Sequence, residues 1–80
     1  MDEAMVAVEV IVAWPRRHVS RRVSLPNGAT VGDAVAAAGL EASTLSGVTA
    51  FAVHGDRVEA GTVLAAGDRV ELLRELQADP

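Results

Sequence analysis

The sequence predicts an α+β fold in which one short helix lies across one face of a mixed sheet of four to five strands. Three observations predict it. Apolar residues recur at period two near both ends of the chain, at Val6, Val8, Val10 and Val12 and again at Val70 and Leu72. Between them, the Ala-rich segment from Val31 to Ala38 carries an apolar stripe at helical spacing. Eighty residues, half of them hydrophobic, suffice for one domain spanning 1–80 with one small core.

Met5 to Trp14 reads as the first strand. Val6, Val8, Val10, Val12 and Trp14 share one face; Glu9 lies on the other with Ala7, Ile11 and Ala13. A strand that is apolar on both faces is expected inside a sheet, covered from both sides. Pro15 has no N–H to continue the ladder and ends the strand. His18 to Leu25 forms a second strand, with Val19, Val23 and Leu25 on one face and His18, Ser20, Arg22 and Ser24 on the other. The short Pro15–Arg17 connection makes the two strands an antiparallel hairpin. Arg21 falls on the apolar face and is expected to snorkel at the sheet edge.

Pro26-Asn27-Gly28 is a turn. Thr30 is the expected N-cap of the helix, with Asp33 completing an acidic capping box. Val31, Ala34, Val35 and Ala38 form the apolar stripe, Gly39 occupies the position after the helix, and Leu40 supplies the hydrophobic contact of that cap. Two turns are too few to persist alone, so the helix depends on packing against the sheet. Glu41 to Gly47 is polar and reads as a surface loop. Val48 to His54 returns to strand character with Phe51 and Val53 inward, Gly55-Asp56 turns, and Arg57–Glu59 forms a short strand. Gly61 to Leu64 is too short for a helix. Gly67-Asp68 is a further turn, and Arg69 to Leu76 is the last strand, with Val70 and Leu72 inward. A first hairpin, a crossing helix and a final strand returning to the sheet centre describe the β-grasp.

Composition removes whole classes of chemistry. The chain has no cysteine, which excludes disulfides, zinc–thiolate sites, cysteine nucleophiles and the four-thiolate cluster of a β-grasp ferredoxin. Net charge is −4, and the only aromatics are Trp14 and Phe51, so neither a basic stripe nor a base-stacking platform for nucleic acid is expected. All seven basic residues are Arg, and Arg16, Arg17, Arg21 and Arg22 lie close together. They form either a solvated strand face or a dock for an acidic partner, whose carboxylates Arg binds bidentately. No Lys/Arg-led apolar segment opens the chain, and the run Val10 to Trp14 is far short of the roughly 20 residues of a membrane span. A cytoplasmic protein is expected.

Five short motifs, in this order, resemble the RnfH (RatB) family of small bacterial ubiquitin-like proteins. They are Val8-Glu9-Val10, Ala13-Trp14-Pro15, Arg22-Val23-Ser24-Leu25, Gly28-Ala29-Thr30-Val31 and Ala38-Gly39-Leu40. The most specific piece follows them: Gly67-Asp68-Arg69-Val70-Glu71 with Arg74, Leu76 and Ala78-Asp79-Pro80. The resemblance implies a ubiquitin-like β-grasp along nearly the whole chain. It also implies a protein partner: either a component of the Rnf electron-transport complex, from which the family takes its name, or a toxin-like START-type protein regulated as by an antitoxin. Several features depart from the family pattern. Leu73 stands where an aromatic is usual and Glu75 where a proline is usual. The stretch Glu41–Gly47 is short, and no basic tail follows Pro80.

No catalytic constellation emerges. Sulfur carriage or conjugation requires a C-terminal Gly-Gly that can thread an adenylating site, whereas this sequence ends Ala78-Asp79-Pro80. His18 and His54 lack a neighbouring nucleophile or carboxylate motif. Glu59, Asp68, Glu71 and Glu75 are spread over turns and strand positions, and no phosphate-binding glycine loop is present. The expectation is a non-enzymatic protein-interaction module with no cofactor and no metal. Its interaction face is the sheet surface left free by the helix, with Arg22 and Ser24 from the second strand and Leu73 and Glu75 from the last.

Overall fold

The computed structural model describes residues 5–14 and 16–74 of the chain. β1 (Met5–Trp14) and β2 (Arg17–Pro26) form a hairpin paired along its whole length, from Met5 opposite Pro26 to Trp14 opposite Arg17. β3 (Val48–Val53), β4 (Asp56–Val58) and β5 (Arg69–Arg74) complete a five-stranded sheet in the order β2-β1-β5-β3-β4. β5 runs parallel to β1 and antiparallel to β3, so the last strand does return to the centre of a mixed sheet. Glu75 and Leu76, expected to extend it, lie outside the described residues.

The core lies between one sheet face and α1 (Val31–Ala37). Its largest fully buried side chains are all valines: Val8, Val10, Val12, Val31 and Val70. Each contributes about 1.5 kcal/mol by leaving water, a figure that a compact unfolded state would reduce. Phe51 and Val53 point into this core as expected but are only half-buried, being on the margin. Arg21, across from Val10, is exposed on the edge strand, and its guanidinium donates to the Ser20 carbonyl.

The helix is fixed at its start. Thr30 Oγ1 accepts the Asp33 amide at 3.2 Å, and the Asp33 carboxylate accepts the Thr30 amide at 3.0 Å. The next two orphan amides, of Val31 and Gly32, donate to the carbonyls of Thr62 and Ala60, both at 2.9 Å. The segment after β4 therefore closes the helix start that the box leaves open. Gly39, at φ +65°, makes the left-handed stop.

Three sequence expectations need correction. Glu41–Gly47 is not wholly a loop: α2 (Ala42–Leu45) forms one helical turn there. The amides of Thr44 and Leu45 both donate to the Glu41 carbonyl, and Leu45 packs on the core margin, an anchor hidden among Ser and Thr. The β3–β4 turn sits one residue earlier than expected, at His54-Gly55. Both residues have positive φ, +53° and +84°, the arrangement that a two-residue hairpin loop needs to match strand twist. Third, no described element covers β1 from both sides. Val6, Val8, Val10 and Val12 are buried beneath the helix layer, but Ala7 and Ala13 are exposed and Ile11 is half-buried.

Candidate functional site

Sheet register places the outer-face residues in rows. Arg22 of β2, Glu9 of β1 and Arg69 of β5 form one row; Arg69 Nε donates to the Glu9 carboxylate at 3.2 Å. Both partners reach solvent, so this ion pair orders the surface more than it stabilises the fold. The next row runs Ser20, Ile11, Glu71, Ala52, Arg57 across all five strands. Ala52 is buried on this outer side because a methyl group does not rise above its taller neighbours Glu71 and Arg57 in that row. One row further on lie Leu73 and Ala50, paired with each other.

Met5 at the start of β1 is exposed on this face, and Ile11 and Leu73 are the large apolar side chains nearer its middle. Both are half-buried, and neither belongs to the core cluster or packs against it. They sit on adjacent strands, one row apart, with the small residues Ala13, Ala50 and Ala52 beside them. The surface is thus a low apolar strip bordered on one side by the Arg22–Glu9–Arg69 row.

Of the sequence-derived candidates, Arg22 and Ser24 are exposed on this face, and Leu73 is on it but half-covered. Glu75 lies outside the described residues. The sheet does not gather these candidates into one cluster: Arg22 and Leu73 are two rows apart, with β1 between their strands. The residue that joins them is Ile11, which sequence reasoning assigned to a second covered side of β1. Its signal is the doubly apolar pattern of β1, which by itself points to burial.

At one end of the face, His54 Nε2 lies 3.0 Å from the Asp68 carboxylate, whose other oxygen accepts the Ala65 amide at 2.8 Å. The contact joins two turns, and the largely exposed imidazole addresses no nucleophile. A shallow open hollow of about 350 Å³ lies here, lined by His54, Gly55, Gly67, Arg69 and Glu71. Among the described residues, no group of three or more His, Cys, Asp or Glu side chains could hold a metal ion. None of the described helices is long and apolar enough to cross a membrane.

Comparison with known proteins agrees with this architecture. The family model described as RnfH family Ubiquitin matches residues 6–80. Protein RnfH of Halorhodospira halophila is 42% identical over 82 residues, covering 99% of this chain and 84% of its own length. A UPF0125 protein of Xylella fastidiosa is 42% identical over 74 residues, covering 89% and 86%. Protein RnfH of Escherichia coli O81 is 38% identical over 78 residues, covering 94% and 81%. The crystal structure of SAMP1 from Haloferax volcanii has the same fold, with a TM-score of 0.69 at 22% identity, covering 91% of this chain and 99% of that one. The chain belongs to the RnfH family, and its fold is the ubiquitin-like β-grasp.

Proposed function

We propose that this RnfH-family protein is a non-enzymatic, cytoplasmic interaction module that docks on a bacterial protein partner through the outer face of its sheet. One observation carries the reading. β1 is apolar on both faces, yet the described chain buries only one of them, leaving Ile11 and Leu73 half-covered and outside the core. A partner covering the second face would remove this apolar strip from water, and the Arg22–Glu9–Arg69 row would border the contact with paired charges. A few central, desolvated side chains carry most of the energy of an interface, with flanking charges setting orientation. Within this reading, an Rnf-complex component and a START-like protein are the first partners to try.

The test is a quantitative co-purification from a native host, comparing the wild type with the Arg22→Glu, Leu73→Asp double variant. Partner recovery is expected to fall by about tenfold or more, the scale of one lost anchor. Recovery equal to wild type, from a variant that circular dichroism shows to be folded, rules the face out.

A further inference from the structure

The two edges of the sheet are unequal. β4 is three residues long, whereas β2 offers ten residues with no described strand on its outer side. Half of the backbone N–H and C=O groups of such an edge point away from its neighbour and are open to a further strand. Charge is concentrated on the same segment. Residues 16–26 carry four of the seven Arg and no carboxylate, leaving three Arg against eleven carboxylates in the rest of the chain. Arg16, Arg21 and Arg22 are exposed. On the helix side of this edge, Val23 and Val35 are half-buried at the core margin.

We infer that the free edge of β2 accepts an extended acidic segment of a partner protein as a sixth strand, with carboxylates opposite the Arg cluster and alternate apolar side chains against Val23 and Val35. This goes beyond the outer-face reading and shares with it only the premise that the chain binds protein. A second copy is the wrong occupant, because pairing β2 with another β2 sets Arg against Arg. The same charges that guard the edge from self-pairing select an acidic strand. Main-chain hydrogen bonds supply affinity in such strand addition, and alternate side chains supply the selectivity.

The experiment titrates the full chain with an eight-residue peptide of alternating Val and Glu, followed by amide NMR shifts. Shifts are expected along residues 18–25. A Val–Lys peptide is expected not to bind, and Arg16→Glu with Arg22→Glu, the latter on the face opposite Val23 where the alternate Glu side chains fall, is expected to weaken the Val–Glu peptide about tenfold. Peptides N-methylated on only the Val or only the Glu amides must differ, because strand pairing uses one alternate set. Leu73→Asp is expected to leave this binding unchanged. Shifts confined to β4 or to the outer face, equal binding by the two N-methylated peptides, indifference to the Arg substitutions, or a dimer formed through β2 would each overturn the proposal. If Leu73→Asp weakens the peptide and the Arg pair does not, the peptide sits on the outer face: the edge proposal then fails and the outer-face reading stands.

Discussion

On the inner side of β1, Val8, Val10 and Val12 are at most 2% exposed, whereas on its outer side Ile11 is half-buried and Ala7 and Ala13 are exposed. Both sides carry apolar residues, the inner one more strongly because the outer one includes Glu9 and two alanines, but only the inner side is covered. The inner side meets a capped helix and closes into a core. Among the described residues, the outer side meets only flanking side chains of its own sheet. Apolar patterning therefore reports what a surface can be packed against, and only the fold decides whether the chain itself supplies the cover.

This contrast is open to direct challenge. The largest effect is expected from Val10→Asp, which places a carboxylate at a position with no exposure. Its cost should exceed the roughly 5 kcal/mol of net stability typical at the low end for small domains. Circular dichroism should then show no cooperative melting, while Ile11→Asp, one residue along, remains folded. If both variants unfold, the outer side is part of the core after all. Val70→Ala should cost about 2 kcal/mol through its cavity, read as a shift in urea midpoint. Its neighbour Glu71→Ala should stay within about 0.5 kcal/mol. Thr30→Ala removes half of the capping box that positions the helix over the inner side, at about 1 kcal/mol. As small as the Glu71→Ala effect, the change on Arg69→Ala should stay below about 0.5 kcal/mol, since its exposed pairing with Glu9 is screened by salt.

Much of the inner side was legible in the sequence. Period-two valines, the Thr30/Asp33 box and Gly39 are local signals with local causes, and the structure realises each where the spacing places it. Expectation failed where the deciding contact is remote or small. The α2 turn depends on Leu45 reaching the core margin from a polar stretch. The hairpin turn begins at His54, a non-glycine residue with positive φ whose ring meets Asp68 fourteen residues later. The outer face was legible in part: Arg22, Ser24 and Leu73 fall on it, but register alone shows that Ile11 lies between them. Ala52 is buried without belonging to the core, and alternation alone does not foretell that.

The claim that the outer side of β1 is a binding surface is tested most directly by methyl NMR of the full chain with and without its co-purified partner. The methyl groups of Ile11 and Leu73 should shift or broaden on binding, while those of Val10 and Val70 on the inner side remain in place. Unmoved Ile11 and Leu73 methyls in a saturated complex would contradict it.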